Sequence, residues 1–354
     1  MKRNTDLRFE LPKSRPSTSA GVLALLQGRV QTSPEARPDQ ATVAQWQREA
    51  AEGSPHAQYE LAKLLTSGNP VSADNRAAVK WLKRAAEKEH AQSQHMLGVL
   101  IARGQGVRAD PPKAAALFRA AAIMGNADAQ YDLARALDWG FGCESNPKEA
   151  LTWYRLAGAQ GHVGAQFAVG LAYAKGKGCE PNLTQSVVWL RKAALNHHAQ
   201  AAFELGELYL RPDNPTADNA EACRWIAEAA RAGCVPAQYA LALFYWSGRA
   251  VKRNPQQACA WAARAAAQDS VPALLLLSKL AEDGTVADPD PCAAYALALR
   301  ANARAQEASL KNESELRLRE LSLKLSSSAL HAAEMLCDKH PETEALLQAL
   351  HPVR

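Results

Sequence analysis

Residues 164–178 read GAQFAVGLAYAKGKG, and the apolar residues of this stretch recur at the spacing of an α-helix. Gly170 stands in its middle, where a glycine costs a helix about 1 kcal/mol relative to alanine. Measured from Ala165, a similar pattern starts 36 residues earlier at Ala129 and 36 residues later at Ala201. The small central residue therefore belongs to a repeated pattern.

The pattern occurs seven times in register. Its first position is a small residue in every copy: Ala57, Ser93, Ala129, Ala165, Ala201, Ala237 and Ala273. Five residues later each copy has a second small residue: Ala62, Gly98, Ala134, Gly170, Gly206, Ala242 and Ser278. A fixed period of this length is typical of repeat proteins, in which each copy is one unit of supersecondary structure.

A second apolar segment follows in each copy. Twenty-four residues after the first position comes a bulky apolar residue: Trp81, Leu117, Trp153, Trp189, Trp225, Trp261 and Leu297. Small residues such as Ala85 and Ala86 follow it by four and five positions. Trp46, followed by Ala50 and Ala51, is interpreted as the second segment of an earlier half copy.

Both segments have the length of ordinary helices, and Asp, Asn and Pro separate them, as in Asp110-Pro111 and Asn254-Pro255. Asp or Asn caps a helix N-terminus, and Pro suits the first turn. Each copy is therefore predicted to be a helical hairpin. One hairpin cannot bury its apolar face alone, whereas a stack can, so the sequence predicts an all-α solenoid. The small residue in the middle of each first helix, such as Gly98, Gly170 or Gly206, would let a neighbouring helix approach closely.

These residues resemble the Sel1-like repeat family, which is related to the tetratricopeptide repeat. The fourth copy carries the family pattern as Ala165, Phe167, Gly170, Tyr173, Gly176-Lys177-Gly178, Trp189 and Ala193-Ala194. The resemblance covers about residues 41 to 305 and departs from the pattern at Pro212–Pro215 and at Leu297. It implies a bacterial, non-enzymatic interaction scaffold and does not identify the partner.

Three regions are expected. Residues 1–40, with four prolines, suit a disordered arm in which Gly21 to Gly28 is a degenerate first helix. Residues 41–305 form the solenoid, and residues 306–354 form a helical cap that covers its open end. The last second helix is expected to continue past Arg304 towards Leu325, and Ser326 or Ser327 to cap a further helix. The alternative for the cap is a dimerising coil built on Leu316, Leu323 and Leu330.

Composition limits the function classes. A formal net charge of +5 over 354 residues gives no basic stripe for nucleic acid. No apolar run is long enough to span a membrane, and Val22–Leu26 is too short for a signal peptide. We therefore expect a cytoplasmic monomer that neither binds nucleic acid nor inserts into a membrane.

Catalysis has one candidate motif. Ser145-Asn146-Pro147-Lys148 matches the S-x-x-K pattern of β-lactamases, an activity reported for some relatives with this repeat. The same loop position holds Asp110 to Lys113 in the second copy, so the repeat itself explains the lysine. His90, His162 and His198 share one column, but residues a repeat apart cannot converge on one metal ion. We expect no metal, no cofactor and no enzymatic activity, with a β-lactamase-like hydrolase as the alternative.

A partner is expected on the concave face, which first helices line in such solenoids. Positions that vary between copies are not fixed by packing, and Trp139 and Trp246 are the two tryptophans outside the second-helix column. Tryptophan is frequent at binding hot spots. The candidate contacts for a peptide or protein are Trp139, Trp246, Arg103, Arg135, Lys175, Glu207 and Arg211. The alternative for both tryptophans is local packing against the loop that follows.

Overall fold

The protein is an all-α solenoid of helical hairpins in a computed structural model, which describes residues 38–67, 73–284 and 288–350. The chain divides into two compact units after Pro181. The expected arm at residues 1–40, including Gly21 to Gly28, lies almost wholly outside the described residues.

The first unit contains eight helices in its described part. They are α1 (Gln40–Ala51), α2 (Pro55–Ser67), α3 (Asn75–Glu87), α4 (Ala91–Arg103), α5 (Pro111–Ile123), α6 (Ala127–Trp139), α7 (Pro147–Ala159) and α8 (Val163–Lys175). The hairpins of copies one to three are α2–α3, α4–α5 and α6–α7. Each second helix also packs against the first helix of the next copy, and this stacks the copies.

The second unit contains ten helices in its described part. They are α9 (Leu183–Leu195), α10 (Ala199–Leu210), α11 (Asn219–Arg231), α12 (Val235–Ser247), α13 (Pro255–Ala266), α14 (Val271–Asp283), α15 (Pro291–Arg304), α16 (Ala308–Ser322), α17 (Ser327–Lys339) and α18 (Thr343–Leu350). The hairpins are α10–α11, α12–α13 and α14–α15, stacked as in the first unit. The helices α16–α18 follow the seventh copy.

Asp and Asn cap the second helices, as the sequence predicts. The Asp110 side chain accepts a hydrogen bond from the Lys113 amide at 3.1 Å, and Asn254 accepts one from the Gln257 amide at 3.1 Å. The residues that cap second helices in this way recur every 36 positions: Asp74, Asp110, Asn146, Asn182, Asp218, Asn254 and Asp290. Each cap satisfies amide groups that would otherwise lack a partner at the helix start.

The small central residues admit the second helix of the same copy. A Cβ on Gly98 would lie 2.7 Å from Cε1 of Phe118, and a Cβ on Gly206 would lie 2.5 Å from Cγ1 of Ile226. Gly170 is likewise buried in α8. The glycine at Gly98 and Gly206 thus lets the hairpin close around a large side chain of its partner helix.

The second-helix tryptophans are less buried than the residues that follow them. Trp81, Trp153, Trp189 and Trp261 are half-buried, and only Trp225, at 6% exposure, belongs to the core. The residues one position later include the largest fully buried side chains: Leu82, Phe118, Leu190 and Ile226. The tryptophans therefore lie at the margin of the core.

Trp46 lies on α1, which packs against α2 as the later second helices pack against the following copy. The Gln58 side chain donates to the Ala50 carbonyl oxygen, as Gln94 does to that of Ala86, and the two acceptors are 36 positions apart. The N-caps Asp39 and Asp74 are only 35 positions apart, so the start of α1 is shifted by one residue relative to its end.

The second glycine of the Gly-x-Gly loop fixes the junction between copies in the first unit. A Cβ on Gly142 would overlap the backbone of Pro111, the first residue of the preceding copy's second helix. Gly106 lies in the same way against Asn75, and Gly178 against Pro147. All three glycines have positive φ, so both the conformation and the contact favour glycine.

The final second helix is shorter than expected. It ends at Arg304, because Ala305 has an extended backbone, and α16 starts separately at Ala308. Ser326 caps α17 by accepting from the Ala329 amide at 3.3 Å, as predicted. The helix α17 packs against α15, and α16 packs against α14 and α15.

Polar contacts hold the terminal helices in place. Arg317 of α16 is 8% exposed and donates to the hydroxyl and carbonyl oxygens of Ser278 at 3.2 and 3.1 Å. It also pairs with Glu282 at 2.5 Å. The buried Arg300 of α15 donates to the carbonyl oxygens of Cys337, His340 and Pro341 at the end of α17. Leu316 and Leu323, proposed for a dimerising coil, are 59% and 89% exposed.

Candidate functional site

The first helices carry the candidate binding residues except Arg211, which follows the end of α10, and each unit has its own set. In the first unit, Arg103, Trp139 and Lys175 are the last residues of α4, α6 and α8. We call these three residues the helix-end ladder. Trp139 and Lys175 are exposed and Arg103 is half-buried.

Trp139 is an open aromatic surface beside a charged pair. Its side chain is 38% exposed, and the Lys177 ammonium lies 5.5 Å from the centre of its ring. The same ammonium pairs with Asp138 at 2.7 Å. Lys177 comes from the loop of the next copy, so the loop covers part of the indole and leaves the rest open.

Arg135 belongs to a polar and aromatic cluster between copies. Its guanidinium lies 3.7 Å from Asp132 and 5.4 Å from the centre of the Tyr131 ring. Asp132 also contacts Nε2 of His95, on α4, at 2.9 Å. Arg135 is therefore held in place by its own helix, with only 11% of its side chain exposed.

Two residues of the histidine column cap helices, which the sequence did not reveal, whereas His90 occupies the same position without a side-chain cap. Nδ1 of His162 accepts from the Ala165 amide at 3.0 Å, and Nδ1 of His198 accepts from the Ala201 amide at 3.1 Å. An accepting nitrogen must be unprotonated, and burial lowers the pKa of both imidazoles.

In the second unit the candidates have local contacts. Trp246 is half-buried against the apolar cluster of α13 and α14, and Arg253 lies 5.1 Å from its ring centre. Arg211 pairs with Asp213 at 2.5 Å in the loop that replaces the glycines. Burial is the largest cause that raises the pKa of Glu207, and the charge of Glu204 raises this pKa further, whereas the charge of Arg249 lowers it. Of the two candidate tryptophans, Trp139 is the more open.

Ser145 and Lys148 stand at the start of α7. The Ser145 hydroxyl donates to the Asp138 carbonyl oxygen at 3.4 Å, and both Ser145 and Lys148 are exposed. A serine nucleophile needs an adjacent base and donors aimed at an oxyanion. In this exposed turn, the Ser145 hydroxyl makes a hydrogen bond within the loop.

In residues 38–67, 73–284 and 288–350, no three His, Cys, Asp or Glu side chains are grouped so that they could hold a metal ion. Among the same residues, no helix combines the length and apolar character that crossing a bilayer requires.

One column with a clear structural role was missed by sequence reasoning. Buried glutamines at the second position of the copies donate to a carbonyl oxygen near the end of the preceding second helix. Their acceptors lie eight residues earlier: Gln58 to Ala50, Gln94 to Ala86, Gln130 to Ala122, Gln166 to Gly158 and Gln238 to Ala230. The recurrence of Gln every 36 residues was the signal that could have identified this link between copies.

Stacked helical hairpins that recur every 36 residues define an α-helical repeat protein. The Sel1 repeat model matches residues 55–90, 91–126, 127–162, 163–198, 199–234 and 235–270. The chain therefore belongs to the Sel1 repeat family. The seventh copy lies beyond these matches and has the same two helices, α14 and α15.

Two solved structures of bacterial proteins are similar to this chain. One is a protective antigen present in uropathogenic Escherichia coli strains and displaying an SLR fold, with 22% identity and a TM-score of 0.72 over 88% of this chain and 71% of that chain. The other is a Sel1 repeat protein from Oxalobacter formigenes, with 25% identity and a TM-score of 0.58 over 70% of this chain and 96% of that chain. No curated protein has a significant sequence match. These structural similarities support the fold.

Proposed function

We propose that the protein is a non-enzymatic adaptor that binds a peptide or protein segment on its first-helix face, the face expected to be concave. Sel1 repeat proteins generally mediate protein–protein interaction. The observation that carries the proposal is the open indole of Trp139 at the end of α6, flanked by Arg103 and Lys175 in the same register.

The exposed tryptophan of the first-helix face is a better candidate contact for a partner than the tryptophans of the second helices are. The Trp81, Trp189 and Trp261 rings each have a cation from their own helix above them, at 5.0, 4.5 and 4.5 Å. Such pairs cover the aromatic surface locally. Trp139 remains 38% exposed beside its lysine.

Site-specific crosslinking tests the choice of face. A photoreactive benzophenone amino acid placed at Leu171, on α8, should form crosslinks to a partner in the native cell. The matched control is the same group at Lys148, an exposed residue of the second helix α7. Crosslinks at Lys148 without crosslinks at Leu171 would contradict the proposed face.

The hydrolase alternative rests on the S-x-x-K match alone. Nitrocefin turnover by the purified chain, lost on Ser145→Ala, would support it and would overturn the non-enzymatic proposal. We expect no turnover above that of the Ser145→Ala variant, because the structure places Ser145 in an exposed turn.

A further inference from the structure

The acidic side chains on the first helices of the first unit already have cationic or imidazole partners. Glu60 lies 3.9 Å from Lys63, and Asp138 lies 2.7 Å from Lys177. Asp132 contacts both His95 and Arg135, and Asp128 lies 3.6 Å from Nε2 of His162. Arg135 and Lys177 therefore offset the charges of Asp132 and Asp138, whereas Asp128 faces the neutral imidazole of a helix cap and keeps its charge.

The helices α4 and α8 contain no acidic residue, and each ends in a basic one. The sequence of α4 is AQSQHMLGVLIAR, and that of α8 is VGAQFAVGLAYAK. Arg103 and Lys175 consequently add positive charge at the two ends of the helix-end ladder. Trp139 stands between them in the equivalent position of α6.

The favourable interaction of a cation with a helix C-terminus explains a basic residue at each of these places. This interaction does not explain why the third residue of the ladder is the exposed indole of Trp139. An exposed tryptophan between two basic side chains is instead the arrangement expected of a binding hot spot with charged flanks.

The spacing of the ladder sets the length of a ligand. The first helices of neighbouring copies lie side by side, since His95 of α4 contacts Asp132 of α6 at 2.9 Å. With one helix diameter of about 10 Å per copy, Arg103 and Lys175 are separated by about 20 Å. An extended chain covers about 3.3 Å per residue, and about six residues therefore span the ladder. A side chain over Trp139 would then be about three residues from groups at either end.

We propose that the helix-end ladder binds an extended acidic segment of a partner protein, in which an apolar side chain rests on Trp139 and carboxylates on either side meet Arg103 and Lys175. This inference rests on the proposed function and specifies the chemistry of its partner. Lys177, 5.5 Å from the Trp139 ring centre, is already paired with Asp138 at 2.7 Å, so the expected preference for acidic ligands depends on Arg103 and Lys175.

Three pools of seven-residue peptides on beads test the proposal with the full-length chain. All peptides have a central Phe or Leu. The outer two positions on each side are Glu or Asp in the acidic pool, Lys or Arg in the basic pool, and Ser or Thr in the neutral pool. We expect the acidic pool to retain about ten times more protein than the basic pool, with retention falling as salt rises. Equal retention by all pools would overturn the proposal.

Matched variants assign the binding to the ladder. Trp139→Ala should reduce retention about tenfold, as expected for a hot spot, and Trp139→Phe should reduce it less. Arg103→Gln with Lys175→Gln should remove the preference for acidic peptides. Lys113→Gln, an exposed cation on α5, is the control and should change nothing. Full retention by the two ladder variants would overturn the proposal, with circular dichroism showing that each variant is folded.

Two further outcomes separate this inference from the proposed function. Labelled heptauridine RNA that binds more tightly than the acidic pool, with the same dependence on Trp139, would assign the ladder to nucleic acid. Crosslinking at Leu171 in cells, combined with no acidic preference, would retain the adaptor function and reject only the acidic partner.

Discussion

The ring of Phe118 lies against Gly98, so that a Cβ on Gly98 would come within 2.7 Å of its Cε1 atom. Phe118 is only 1% exposed, so its ring is enclosed by the surrounding protein. We expect Gly98→Ala to lower the free energy of unfolding by about 1–3 kcal/mol through overpacking. This loss should exceed the gain in helix propensity of about 1 kcal/mol. Urea denaturation measures the difference.

A compensating variant checks the cause of that loss. In the first copy the same two positions hold Ala62 and Leu82, and both are fully buried. Gly98→Ala combined with Phe118→Leu reproduces this pair and should be more stable than Gly98→Ala alone. A single variant as stable as the wild type would contradict the close packing.

Replacing Glu89 by glycine should stabilise the protein. Glu89 has φ 57 between α3 and α4, where four other copies place a glycine of positive φ: Gly53, Gly125, Gly161 and Gly233. The left-handed conformation costs a residue with a Cβ about 1–2 kcal/mol. Glycine avoids this cost, but part of the gain is lost because glycine has more conformational entropy in the unfolded chain. We expect a gain of about 0.5–1 kcal/mol for Glu89→Gly in thermal unfolding. Glu89→Ala is the control, and an equal gain there would attribute the effect to charge.

Stability should fall as the pH drops below about 6.5. Burial lowers the pKa of His162 and His198 below their usual value, so the unfolded chain binds more protons in this window. The contribution of these two unprotonated histidines to the free energy of unfolding is fully present above the unfolded pKa. It is lost as the pH falls towards the folded pKa. Asp128 and Asp132 oppose the shift at His162, so His198 should contribute more clearly.

Asparagine at both positions provides the control for this pH dependence. Asn126 caps α6 in the same column by accepting from the Ala129 amide at 2.8 Å. His162→Asn with His198→Asn should keep the caps and flatten the dependence of the melting temperature between pH 7.5 and 5.5. An unchanged slope would assign the pH dependence to other groups.

Removing Arg317 should loosen α16. Its guanidinium is buried between Ser278 and Glu282, and losing one partner of a buried ion pair costs about 3–5 kcal/mol. Lys324 also contacts Glu282 at 2.5 Å, so we expect a smaller loss of about 2 kcal/mol for Arg317→Met. Hydrogen exchange should increase mainly in residues 308–322. Arg319→Gln, an exposed neighbour, should not change it, and unchanged exchange in Arg317→Met would contradict the role of this contact.

The repeat made most of the fold predictable. The period, the hairpins and caps such as Asp110 follow from local sequence, because each copy repeats the same short-range contacts. The hydrogen bond from Gln58 to Ala50 that links α1 to α2 was missed, although the recurrence of glutamine every 36 residues indicates it. The end of α15 was missed because residues 305–307 contain no breaker, and the start of α16 depends on tertiary contacts.

The candidate site was less predictable than the fold. Variation between copies indicates which positions packing leaves unspecified, and Trp139 and Trp246 looked equivalent by this criterion. Their difference comes from the leucine-rich helix α14, whose cluster covers part of Trp246. The cap role of His162 and His198 was hidden because histidine is an unusual N-cap residue.

The glycine-to-backbone junctions of Gly106, Gly142 and Gly178 have a consequence for protein engineering. A grafted sequence in any of these loops would have to enter a gap already closed by the main chain of the preceding copy. The fifth copy is different, because the Asn214 amide donates to the Leu208 carbonyl oxygen at 2.8 Å and takes the place of the glycine turn. Foreign loops are therefore best inserted near Thr216, whereas the array is best lengthened by duplicating whole copies of the glycine type.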